Sequence, residues 1–128
     1  MTLQAGIGLS INPDYMLAVR EAMAEARKNT AVNKIDLALV FSSVEFAHLN
    51  VIKAINSLLP EAVPIVGCSS LAIISNKGIF KHGLMVALLS LPKDAYFNAA
   101  AVQEIKAKTS VNAGKELADK LLYGFGGV

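Results

Sequence analysis

Two short apolar runs, each ending in small polar side chains, constrain this chain more than any other feature. Val63-Pro64-Ile65-Val66 leads into Gly67-Cys68-Ser69-Ser70, and Ile35-Asp36-Leu37-Ala38-Leu39-Val40-Phe41 stops at Ser42-Ser43. Runs of this length, separated by helical patterns, read as neighbouring strands of a parallel α/β sheet. In such sheets ligands sit just beyond the carboxyl ends of the strands. The two polar corners would give that crevice hydroxyls, one thiol and free backbone N–H groups. The residues point to a small-molecule pocket and spell out no catalytic apparatus.

The expected order of elements follows the same logic. Residues 3–9 form a strand, and Ser10 or Asn12 caps a helix over residues 13–29 with Pro13 in its first turn. Tyr15, Met16, Val19, Ala22, Met23 and Ala26 make the core face of that helix. A polar turn over residues 29–34 leads to a strand at 35–41. Ser42 and Glu45 have the spacing of a capping box that opens a helix over 44–59, closed by Pro60. A third strand covers 63–67. The chain thus opens as β-α-β-α-β, with both crossovers on one side of the sheet unless the strand order reverses.

Beyond Ser70 the pattern changes. Residues 71–74 form a strand, 75–78 a turn, and 84–91 a central strand buried on both faces. A tight turn at Pro92-Lys93-Asp94 predicts an antiparallel partner strand over 95–104. A last helix starts near Ser110 or Asn112 and buries Leu117, Ala118, Leu121 and Leu122. The glycine-rich end, residues 124–127, reads as a frayed tail. The fold class expected is α/β, a mixed sheet opening with βαβαβ, then an antiparallel strand pair and a further helix. Length predicts a single domain over residues 1–128.

Composition narrows the function. With 54% hydrophobic and 17% charged residues the chain is not disordered. A net charge of +2 and no basic cluster argue against nucleic acid or an anionic membrane as partner. No apolar run approaches the ~20 residues of a membrane helix. The single Cys68 fits a reducing compartment, and no leader is evident at the N-terminus. A soluble cytoplasmic protein is expected. Gly6-Ile7-Gly8 lacks the third glycine of a dinucleotide fingerprint. No metal-ligand spacing occurs among His48, His82 and Cys68, so neither metal nor cofactor is expected.

Several stretches together resemble the FIST sensory family at its N-terminal domain. They are Gly6-Ile7-Gly8-Leu9-Ser10 with the helix after it, Asp36 through Ser43, Val63 through Ser70, Gly83 through Leu89, and Ala113-Gly114-Lys115-Glu116-Leu117-Ala118. The Gly67-Cys68-Ser69-Ser70 turn is the most recognisable. The family typically follows it with a small residue, a glycine and an acidic residue. Here Leu71-Ala72-Ile73-Ile74 stands there, so no role of that carboxylate carries over. Against the family's length the chain represents part of an N-terminal domain, as a piece of a longer protein or a reduced homologue. The resemblance implies a non-catalytic intracellular sensor of small ligands, with amino acids the suggested class. It also implies coupling to signalling output modules.

The expected ligand-binding residues are Ser42, Ser43, His48, Gly67, Cys68, Ser69 and Ser70. They would hold an amino acid or small carboxylate through hydroxyls and the N-terminus of the second helix. A plainer reading has a serine capping that helix and Gly67 easing a turn. His48 is either a pocket-lining group or a core histidine, and His82 a solvated loop residue. An alternative function is a cysteine-dependent hydrolase or redox enzyme using Cys68 and His48. A third is a structural oligomerisation unit. An exposed sheet edge predicts a homodimer or larger assembly.

Overall fold

The computed structural model describes residues 2–29, 34–59 and 63–123. The chain divides into two compact units, Met1–Lys93 and Asp94–Val128. The first holds strands β1 (Gln4–Ser10), β2 (Leu37–Ser43), β3 (Ile65–Ser70), β4 (Ile73–Ser75), β5 (Gly78–Phe80) and β6 (Leu84–Ser90). Its helices are α1 (Tyr15–Lys28) and α2 (His48–Leu58). Strand order in the main sheet is β1-β6-β2-β3, and β4 and β5 form a separate hairpin. β2 and β3 run parallel, while β6 lies antiparallel to both β1 and β2. The α/β mixed sheet is the class expected.

One row explains how the helices attach. Gly8, Val86, Val40 and Gly67 are register partners across all four strands, so they share a face. α1 crosses so close to β1 that a methyl on Gly8 would lie 1.8 Å from the Ala22 carbonyl oxygen. On the same face Ala18, Val19, Ala22, Met23 and Ala26 of α1 pack with Val51, Ala54 and Ile55 of α2 over Ala38, Val40, Leu84, Val86 and Leu88. Both helices therefore cover one side of the sheet. Burial of each large aliphatic side chain in this layer contributes about 1.5–3 kcal/mol.

Several expectations need correction. α1 is capped by Asp14, whose Oδ1 accepts from the Leu17 N–H at 3.0 Å, so Pro13 precedes the cap. Met16 is exposed, outside the core face. The capping box of Ser42 and Glu45 does not form. β2 runs on through both serines because they pair with Ser69 and Ser70, and the Ser43 N–H donates to the Gly83 carbonyl at 2.9 Å. Held in the sheet, neither serine can cap a helix. α2 instead begins at His48 behind Ala47, which offers no capping side chain. For the same reason Gly67 through Ser70 continue a strand and do not turn after one.

β6 is central as expected, but alternates along its length. Leu84, Val86, Leu88 and Ser90 are buried, and Met85, Ala87 and Leu89 are half-buried on the other face. No strand forms over residues 95–104. β6 already has β1 on one side and β2 on the other, so no ladder remains for a third partner. β5, the return strand of the hairpin, was absent from the expected order.

The second unit has an irregular stretch, a single 3-10 turn at Ile105–Ala107 and helix α3 (Ser110–Tyr123). The Thr109 hydroxyl accepts from the Asn112 N–H at 3.2 Å and starts the helix. The Asn98 amide bonds the Leu121 carbonyl at 2.9 Å, and Lys120 bonds that of Ala101 at 3.1 Å. Glu116 joins Lys108 and Lys120 at 2.5 and 2.9 Å, and those two ammonium groups hold its carboxyl below its ordinary range. Ala113 is the buried residue of α3. Leu117 and Leu121 are half-buried, while Ala118 and Leu122 are exposed, unlike the expectation for that helix. The expected turn residues 30–33, Pro60 and the tail 124–128 lie outside the described residues.

Candidate functional site

Side chains alternate along a strand, and that alternation sorts the seven expected residues. Ser42 and Ser69 are register partners and face the helices, as do Val40 and Gly67 two residues earlier. Ser43 and Ser70, one step on, belong to the opposite face. Ser42, His48, Gly67, Cys68 and Ser69 line one cavity of about 150 Å³, together with Val40, Val51, Ile52 and Ile65. It lies between β2, β3 and the start of α2. Ser43 and Ser70 do not line it.

Those two serines are engaged elsewhere. The Ser43 hydroxyl accepts from the Gly83 N–H at 3.3 Å and donates to Glu45 Oε2 at 3.3 Å. Glu45 Oε1 in turn meets His82 Nδ1 at 2.5 Å, with His82 exposed. The Ser70 hydroxyl closes a local turn, donating to the Ala72 carbonyl at 2.6 Å and accepting its N–H at 3.4 Å. Both serve the connections around the sheet end.

Ser42 differs. Its residue surface is only 5% exposed, yet its hydroxyl makes no hydrogen bond among the described residues. No fully enclosed polar side-chain atom there lacks a partner, so this oxygen keeps some access to the cavity it lines. His48, the first residue of α2, stands exposed at the same cavity. Ala47 supplies no side-chain cap, and while the Asn50 N–H donates to the Ala47 carbonyl at 3.0 Å, no side chain meets those of His48 and Leu49 among the described residues. A helix start of this kind favours negative charge.

His48 is therefore a surface residue at a pocket, and the core-histidine reading is overturned. Cys68 is exposed with a free thiol. Its place between Gly67 and Ser69 assigns its side chain to the face away from α2. The thiol makes no hydrogen bond to His48 among the described residues. No group of three metal-ligating side chains occurs among the described residues.

A larger hollow, about 370 Å³, borders β1 and is lined by Ala5, Ile7, Leu9, Glu25, Asn29, Ser75, Asn76 and Lys77. Its Glu25, Asn29 and Lys77 side chains are already bonded. Glu25 accepts the Leu9 N–H at 2.7 Å and pairs with Lys77, while the Asn29 amide donates to the Ile7 carbonyl at 3.1 Å. The Leu9 N–H foremost, and Lys77 with it, hold the Glu25 carboxyl below its ordinary range. Ser42 of the smaller cavity, by contrast, has no hydrogen-bond partner among the described residues. Sequence reasoning did not anticipate this hollow, although Glu25 and Asn29 share one face of α1 four residues apart. It also missed the apolar wall of the smaller cavity, since Val40, Val51, Ile52 and Ile65 come together only once α2 is seated on β2 and β3.

The first unit is a mixed α/β sheet with two helices on one face and a small cavity at two adjacent strands. Residues 36–126 match the FIST N domain, which is most of the chain, and the chain belongs to that family. FIST domains are sensory domains associated with signal transduction. The likeness read from the strand motifs is borne out. No curated protein matches the chain. Among the described residues no helix is long and apolar enough to cross a membrane.

Proposed function

We propose that this chain is a non-catalytic sensory module that binds a small carboxylate or amino acid in the cavity between β2, β3 and α2. The observation that carries the reading is the Ser42 hydroxyl, nearly buried and unbonded beside an uncapped helix start. A carboxylate there would accept from Ser42, from Ser69 and from the first-turn N–H groups of α2. Gly67 brings β3 close against Val40 of β2 on the cavity floor, and His48 borders the opening. Ser43 and Ser70 support the loops that shape it. The family match runs from the first compact unit into the second, which supports reading residues 1–128 as one domain. A free, exposed Cys68 is in keeping with a reducing cytoplasm.

A thermal-shift and calorimetric screen of amino acids and small carboxylates tests the reading. A ligand that raises the melting temperature of the native chain should bind about tenfold more weakly to Ser42→Ala, the cost of one hydrogen bond to a charged group. Binding unchanged by both Ser42→Ala and Ser69→Ala overturns it.

We also propose that the domain self-associates, as a homodimer where the contact runs through β3 and as a larger assembly only through a further surface. No described strand pairs with the outer edge of β3, and Val66 and Cys68 on it are exposed. Light scattering at micromolar concentrations should find a mass above the monomer. A monomer throughout that range would end this part of the proposal.

A further inference from the structure

We infer that the cavity selects short aliphatic monocarboxylates and discriminates against α-amino acids and dicarboxylates. The inference rests on the site proposed above and narrows its ligand. A cavity of about 150 Å³ is small. An engineered protein cavity of roughly that volume accepts benzene, so about six or seven non-hydrogen atoms fill its inner part, with His48, Ile52 and Ser69 exposed at the rim.

The lining divides that space in two. Val40, Val51, Ile52 and Ile65 give one part an aliphatic wall, which favours a hydrocarbon tail. Ser42, Ser69, His48 and the start of α2 give the other part donors, which favour one anionic head. Ser42 is the decisive group, a nearly buried hydroxyl without a partner on the cavity wall.

What the wall lacks sets the discrimination. No Asp or Glu lines the cavity, so the ammonium of an α-amino acid would lose water without gaining a counter-charge. The closest carboxylate along the chain, Glu45, is committed to His82 and Ser43. No Lys or Arg lines the cavity either. A second carboxylate on the ligand would lie against valine and isoleucine side chains, where desolvation is most costly.

The test compares matched pairs on the full chain by calorimetry, with amide NMR shifts mapping the site. Isovalerate is set against valine, and butyrate against succinate. Isovalerate and butyrate should bind about tenfold or more tightly than their counterparts, perturbing the amides of Ser42, His48 and Ser69. Ser42→Ala should weaken isovalerate about tenfold at unchanged circular dichroism. Valine or succinate binding equally well, with the same amides perturbed, overturns the selectivity and leaves the sensory site standing. Failure of all four to bind at millimolar concentration, or shifts confined to other residues, overturns both.

Discussion

Ser42 and Ser43 are adjacent in sequence and opposite in use. One hydroxyl ties the β6 entry to β2, and the other faces a cavity unbonded. The glycines show the same dependence on place. A Cβ on Gly8 would lie 1.8 Å from a helix backbone oxygen, and one on Gly67 would lie 1.7 Å from the Val40 carbonyl oxygen in the next strand. Neither backbone can yield cheaply. Gly8→Ala and Gly67→Ala should each destabilise the chain by about 1–3 kcal/mol in urea unfolding. Gly114, in the exposed interior of α3, meets nothing within 4 Å. Gly114→Ala should therefore stabilise by about 0.5–1 kcal/mol, the gain of a helix interior freed of glycine. Reversal of either sign would show that the helix crossing or the strand spacing adjusts.

At the scale of elements, strands and helices were legible where periodicity was strong. The α1 stripe, the apolar run of β6 and the β2–β3 pair all stand near their expected positions. What could not be read was competition for partners. The Ser42–Glu45 spacing is a sound cap signal, but the sheet claimed both serines first, a choice set by contacts twenty-seven residues away in sequence, Ser42 with Ser69 and Ser43 with Ser70. Residues 95–104 had an acceptable strand pattern, but β6 was already flanked on both sides. The site was legible as two polar corners. Its division into a cavity row and a structural row was not, because that needs the register. The edges test the same idea. Val66→Lys, a charge on the open β3 strand, should shift the proposed assembly toward monomer by light scattering while leaving the fold intact. An unchanged mass would place the contact elsewhere.

At the scale of the molecule, two carboxylates link distant segments and make stability depend on pH. Glu25 bonds β1 and Lys77. Asp36 accepts the Leu91 N–H at 2.9 Å and pairs with Lys34 at 3.0 Å. The Leu91 N–H first, then Lys34, lowers the Asp36 carboxyl. Both groups thus ionise at lower pH when folded than their ordinary values of 4.5 for Glu25 and 3.8 for Asp36. Below those values the unfolded chain takes up protons first, so unfolding gains as pH falls. The contribution is complete above the ordinary values and is lost as pH drops through the folded ones. Urea midpoints should hold steady above about pH 5.5 and decline below it. The double variant Glu25→Gln/Asp36→Asn should show a shallower acid slope. An identical slope would assign acid sensitivity to other groups.

The two borders of the main sheet differ, and the difference would limit growth of the proposed assembly. Along β1, the Glu25 and Asn29 side chains occupy the Leu9 N–H and the Ile7 carbonyl, groups that an incoming chain would need. Along β3 nothing described does so. A molecule adhesive on one flank alone can join a twin by a two-fold rotation, and the union consumes the adhesive flank of both. Association by this route closes at the pair and cannot elongate into a fibril.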